Sequence, residues 1–176
     1  MTGTDLVSKA VSQLGVVEKG GKDGKSGNIV PYWDWWRACT SENAQGSSWC
    51  ACFVSWCFSE IQASSLVAAK NRYGFIYCPD GVTFFKKKNA LIDPTKAKPG
   101  DVVFFDWEGA GISDHVGIVE SVGAGFLTTI EGNTSAEGVV GGSNQNGGGV
   151  YRRKRYFGKT IIGVARPAWP VITATK

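Results

Sequence analysis

At "KPGD", residues 98–101, the hydrophobic period of the chain changes. Before it, apolar residues recur at three- and four-residue spacings. After it they alternate or form short runs, in "VVFFDW", "HVGIVESV", "FLTTIEGN", "VYRRKRYF" and "TIIGVARP", each bounded by glycine-rich turns. A chain that places its helices first and its strands afterwards does not interleave them as βαβ units. The expected fold class is therefore α+β, with N-terminal helices packed on one face of an antiparallel five- or six-stranded sheet or partial barrel. The 176 residues, 43% of them hydrophobic, suit one core, so a single domain over 1–176 is expected.

Within the helical half, Leu6, Val7, Ala10, Val11 and Leu14 form an amphipathic pattern that Thr4 or Asp5 can cap. "EKGGKDGKSGN" reads as a loop, and its Asp23, Ser26 and Asn28 lack the spacing and carboxylate count of a calcium loop. "PYWDWWRAC" opens on a proline suited to a first helical turn. Its Tyr32, Trp33 and Trp36 form an aromatic stripe better read as core than as a sugar-stacking platform. Residues 70–97 read as irregular, with turn signals at "PDG" and "DP" and a short helix around 82–88. "GVVGGSNQNGGG" reads as a mobile hairpin tip.

The segment "SSWCACFVSWCFSE", residues 47–60, carries three of the five cysteines. From Cys50, the positions Phe53, Val54, Cys57, Phe58 and Ile61 follow helical spacing and predict one buried stripe. Ser47 and Ser48 are good caps, so Cys50 is expected in the first turn, where unpaired N–H groups and the helix dipole stabilise a thiolate. Cys57 lies two turns deeper, where burial leaves a thiol inert. Cys52 is rotated by about 200° from Cys50, which disfavours a disulfide, a C-x-x-C-like redox pair and a zinc cluster alike. No metal and no cofactor are expected.

A cysteine nucleophile generally needs a base, and His115, in "SDHVGIVES", is the chain's one histidine. On a strand, His115, Gly117 and Val119 share a face, and Gly117 leaves space for a substrate or for the helix tip. The following run places Thr129, Glu131 and Asn133 on one face. If the two runs pair as a hairpin through "VGAG", Glu131 or Asn133 can bond the second ring nitrogen of His115. Asp114 points to the opposite face and is a candidate for substrate binding together with Trp49, which either lines a groove or packs under the helix start. Asp101 reads as a turn carboxylate.

The net charge of +4 favours a polyanionic partner, but the cations of "YRRKRYFGK" alternate with aromatics as on a solvated edge strand, and no nucleic-acid site is expected. The N-terminus lacks the pattern of a signal peptide, and no apolar run is long enough for a membrane span. A soluble chain with reduced thiols, and a monomer, is expected.

Three stretches taken together, "WCACFVSWC", "GDVVFFDW…SDHVGIV" and "TIEGNTS", resemble the CHAP domains (cysteine, histidine-dependent amidohydrolase/peptidase), papain-like peptidoglycan hydrolases common among bacteriophage lysins and bacterial autolysins. The resemblance runs from about Leu6 to Arg166. It implies a papain-like fold, Cys50 as nucleophile, His115 as base, and Glu131 and Asn133 as their partners. It also implies bacterial peptidoglycan as substrate, cleaved at an amide or peptide bond, and a place of action on the cell wall, reached from an infected host's cytoplasm or from a virion. Some relatives hold calcium through aspartates upstream of the nucleophile; here that loop is "TSENAQGSS", and calcium is not carried over. The alternatives are a cysteine amidase acting on another peptide conjugate and a catalytically silent wall-binding or phage-structural module.

Overall fold

A computed structural model describes residues 1–20, 26–140 and 142–170. Asp23 lies outside them. Helix α1 (Gly3–Val11) buries Leu6 and Ala10. Its cap is Thr2 and not Thr4 or Asp5, because Asp5 serves as the reciprocal partner: Thr2 N–H donates to Asp5 Oδ2 at 2.7 Å while Asp5 N–H donates to Thr2 Oγ1. Strands β1 (Lys19–Gly20) and β2 (Ser26–Ile29) pair as a small antiparallel ribbon. Helix α2 (Pro31–Thr40) starts on its proline and buries Tyr32, Trp33 and Trp36, so the aromatic stripe is core.

Helix α3 (Cys50–Glu60) departs from the single-stripe reading. Eight of its eleven residues are buried, because α1 and α2 cover one side while strands β5 and β6 cover the other. Its cap position is Trp49, and neither Ser47 nor Ser48 caps it by a side-chain hydrogen bond. Helix α4 (Cys78–Lys87) begins four residues before the expected segment. "PDG" is its first turn rather than a loop, since a proline just inside a helix start removes only an N–H that would go unpaired.

The second half of the chain supplies β3 (Leu91–Ile92), β4 (Val102–Phe105), β5 (His115–Gly123), β6 (Phe126–Thr134), β7 (Gly149–Tyr156) and β8 (Ile161–Ala165). They form one antiparallel six-stranded sheet in the order β3-β8-β4-β5-β6-β7. The fold is thus α+β. The sheet alternation decides what each face buries. Val102, Phe104, Val116, Ile118, Ile130 and Val150 join the helices in the main core, while Val103, Phe105, Leu127 and Val164 build a smaller core on the other face. Asp101 closes its turn by accepting from Lys98 N–H at 2.7 Å, and it also pairs with Arg166 at 2.8 Å, which fastens the end of β8 to the start of β4.

Two glycines set the distances within this frame. A Cβ on Gly132 would stand 2.7 Å from the Trp49 ring and 2.8 Å from Phe53, so β6 touches the start of α3 because residue 132 has no side chain. A Cβ on Gly117 would stand 2.6 Å from Glu131 Cγ. The space beside His115 is therefore filled by Glu131, and not reserved for substrate or helix tip.

Strand β7 lies at the edge of the sheet. Its first residues are covered by the segment after α1, with Val150 N–H donating to Val16 O at 2.8 Å and Gly15 N–H to Val150 O at 3.0 Å. Arg152 and Lys154 are exposed, as the solvated-edge reading expects, but Arg155 turns inward and is buried.

Candidate active site

Four elements converge on one point. Cys50 is the first residue of α3, Cys78 the first of α4, and His115 the first of β5, while Glu131 sits near the end of β6. The expected hairpin exists: β5 and β6 pair with Ile118 opposite Ile130 and Gly123 opposite Phe126, leaving Ala124 and Gly125 as the turn. This register brings Glu131 alongside His115, with His115 Nε2 and Glu131 Oε2 2.9 Å apart. Both side chains are fully buried.

Glu131 is saturated. Oε1 accepts from Thr129 Oγ1 at 2.5 Å and from Arg155 Nε at 2.8 Å; Oε2 receives His115 and a second guanidinium nitrogen of Arg155. A carboxylate held in this bidentate grip has one orientation. Burial opposes its charge, but the hydrogen bonds from Arg155 and His115 win and hold the Glu131 carboxyl down at about 2. Arg155 is in turn stacked over the Trp107 ring at 4.7 Å, and its third nitrogen donates to Asn144 Oδ1 at 2.7 Å.

Cys50 and Cys78 stand sulfur to sulfur at 3.7 Å. The Cys78 thiol, above all, holds Cys50 well below the ordinary thiol range; burial works against it, and the neighbouring His115 imidazole and the Ala51 N–H reinforce it. The Cys78 thiol is pushed up, first by its hydrogen bond with Cys50 and then by burial, so Cys50 is the more acidic sulfur of the two. Burial opposes charge on His115 too, but the neighbouring Cys50 sulfur, then the hydrogen bond and charge of Glu131, hold the imidazole up at about 9. His115 Nδ1, the nitrogen not bonded to Glu131, has no hydrogen-bond partner among the described residues. These shifts favour Cys50 and Glu131 as anions and His115 and Arg155 as cations, an arrangement in which the four buried charges alternate in sign and sum to zero. That alternation is what lets a low-dielectric site hold them.

The other sequence candidates fall apart from this relay. Asn133 is buried in a left-handed conformation (φ 59°) where the register of β6 and β7 slips, and its Nδ2 donates to Gln145 O at 3.1 Å, away from His115. Trp49, a candidate for the groove wall, has no exposed surface. Its ring packs on Tyr32 at 5.5 Å and its Nε1 donates to Glu18 Oε2 at 3.2 Å, because the close approach at Gly132 leaves it no outward path. Asp114 accepts from Trp107 and Glu108 N–H on Oδ2, while Oδ1 is buried without a partner, and burial raises its carboxyl. Cys57 is fully buried and its thiol is pushed well up by loss of solvent, as expected. Cys52 donates to Tyr32 O.

Sequence reasoning missed Arg155, Thr129 and Cys78. Thr129 was placed on the correct face but given no role. Arg155 was hidden in a run of cations whose register against β6 a sequence does not state. Cys78 carries a legible signal: it directly precedes Pro79, the mark of a helix start, which is the argument that selected Cys50. The glycine-rich run before β7 is not a free tip either. Among its described residues, Asn144 is held by Arg153 and Arg155, and Gly147 N–H donates to Asn133 O at 2.9 Å; Gly141 lies outside the description.

Among the described residues no group of three or more His, Cys, Asp or Glu side chains is arranged to hold a metal ion, and no helix is long and apolar enough to cross a membrane. A model of one protein family, described as the CHAP domain, matches residues 40–133, the stretch that contains Cys50, Cys78, His115 and Glu131. No curated protein matches the chain.

Proposed function

The chain belongs to the CHAP domain family, and from that premise we propose that it is a thiol hydrolase of bacterial peptidoglycan, acting as a single catalytic domain over 1–176. One observation carries the reading: an imidazole whose one nitrogen is fixed by a saturated carboxylate, and whose other nitrogen is unpartnered beside a thiol of lowered pKa at a helix start.

The Cys50 thiolate attacks the carbonyl carbon of an amide in the wall. The developing oxyanion is met by backbone N–H groups at the start of α3, which have no partner within the helix. Imidazolium His115 gives its proton to the leaving amine as the C–N bond breaks, and an acyl-enzyme remains on Cys50. Neutral His115 then takes a proton from water, which attacks the thioester and frees Cys50. Glu131, itself fixed by Arg155 and Thr129, keeps the ring oriented through both proton transfers. Asn133 acts indirectly, anchoring the loop that supplies Asn144 to Arg155. Asp114, half-buried next to His115 in the chain, is the residue that meets polar groups of the bound peptide. The net charge of +4 draws the enzyme to an anionic wall, as for a lysin released in an infected host or carried on a virion.

Purified bacterial cell walls incubated with wild type and with Cys50→Ala test the reading by turbidity, and mass spectrometry of the released fragments identifies the bond. Wild type clears and Cys50→Ala does not. Equal clearing by both removes Cys50 from the mechanism; no clearing by wild type moves the chain to the wall-binding reading or to another peptide conjugate.

A further inference from the structure

The hydrolytic reaction uses one sulfur, yet the site holds two. We propose that Cys50 and Cys78 are a reversible oxidative modification site, closing to a disulfide when a hydroperoxide reaches the site.

The geometry is that of a pair waiting to close. The sulfurs stand 3.7 Å apart, and each is the first residue of its helix. A side chain in that position stands outside the hydrogen-bonded ladder and can rotate without breaking it, and closure shortens the separation to about 2.05 Å. The separation in sequence puts the two on different helices, α3 and α4, so the bond would tie two elements that chain connectivity leaves independent. Cys50 and Cys78 also retain 3% and 5% exposure, against 0% for Cys52 and Cys57, so a small peroxide meets this pair before the buried ones. Across the 3.7 Å contact Cys50 is the more acidic sulfur and Cys78 the less, which makes Cys50 the attacking sulfur and Cys78 the resolving one.

The chemistry balances with hydrogen peroxide as oxidant. The Cys50 thiolate attacks one peroxide oxygen, an S–O bond forms as the O–O bond breaks, and hydroxide leaves. Cys50 is then a sulfenic acid. The Cys78 sulfur attacks the Cys50 sulfur, the S–S bond forms as the S–O bond breaks, and the departing hydroxide takes the Cys78 proton as water. Two electrons pass from the thiols to the peroxide. A dithiol reductant reverses the change by exchange. Without Cys78 the sulfenic acid has no partner and proceeds to sulfinic acid, which a dithiol does not reverse.

Wild-type protein treated with a modest excess of hydrogen peroxide tests this by intact mass and peptide mapping. The five free thiols fall by two, to three, the protein loses two hydrogens, and one crosslinked peptide joins Cys50 to Cys78. Dithiothreitol restores all five. Cys78→Ser under the same treatment gains two oxygens on Cys50 and stays oxidised after dithiothreitol. Wild type that acquires oxygens on Cys50 with no crosslink, or that links another pair, overturns the proposal, and this readout stands even if Cys78→Ser does not fold. Mass is independent of hydrolysis: a reversible crosslink in a protein that never clears walls upholds this inference and counts against the hydrolase, whereas clearing without a crosslink does the reverse.

Discussion

On the sheet side of the site both oxygens of Glu131 have two donors each, whereas on the helix side the Cys50 sulfur has one neighbouring sulfur, the His115 ring beside it and one backbone N–H. The first half is determined several times over: Thr129, Arg155 and His115 each fix the same carboxylate, and Arg155 is fixed again by Trp107 and Asn144. The second half keeps freedom at the sulfur that, in the proposed mechanism, moves onto a carbonyl and back. Substitutions on the sheet side should therefore cost stability and rate together, and substitutions on the helix side rate alone.

The largest effect is expected on the helix side. Cys50→Ser lowers the wall-clearing rate by about 10³-fold or more, with a melting temperature within a few degrees of wild type; a rate within tenfold of wild type breaks the comparison at its root. Glu131→Gln comes next and hits both quantities, because Arg155 is left buried without its counter-charge and His115 without its acceptor. The cost in urea unfolding is about 3–5 kcal/mol and the rate falls by about 10²-fold. A variant that loses rate but no stability shows that the sheet side is less tied than its hydrogen bonds indicate.

The pH profile tests the link between the halves. His115 holds its proton up to about 9 in the folded protein against an ordinary 6.5, so the clearing rate falls as pH rises through about 9, where the leaving amine loses its proton donor. Linkage has the same sign. The stabilisation from this raised value is complete below 6.5 and is lost as pH climbs to about 9, while that of Glu131, held down at about 2 against 4.5, is complete above 4.5 and is lost as pH falls toward 2. A rate still rising from pH 8 to 10 rules out the thiolate–imidazolium pair. Thr129→Val, which removes one of four donors to Glu131, costs about 1–2 kcal/mol by the same unfolding measurement. Arg152→Ala breaks only the exposed pair with Glu120 and costs less than about 1 kcal/mol, which marks the baseline for β7.

The same division explains what the sequence disclosed. Cys50 at a helix start, His115 at a strand start and the hairpin that joins His115 to Glu131 follow from local periodicity and turn chemistry, and so does the order of helices and sheet. The identity of the fourth member, Arg155, depends on the register between β6 and β7, which slips between Glu131 and Thr134 around the left-handed Asn133. A slip of that kind is set by the loop that follows, not by alternation. Trp49 illustrates the opposite limit. Its burial is decided by the missing Cβ of Gly132, some eighty positions away in the chain.

The outward cations of β7 have a use that recognition does not explain. Among the described residues no further strand pairs with β7, and a second molecule meeting it antiparallel about residue 153 would bring the exposed Arg152 of each copy against Lys154 of the other. Like charges facing each other at that seam disfavour edge-to-edge pairing, the usual means by which an exposed strand is kept from templating a second sheet.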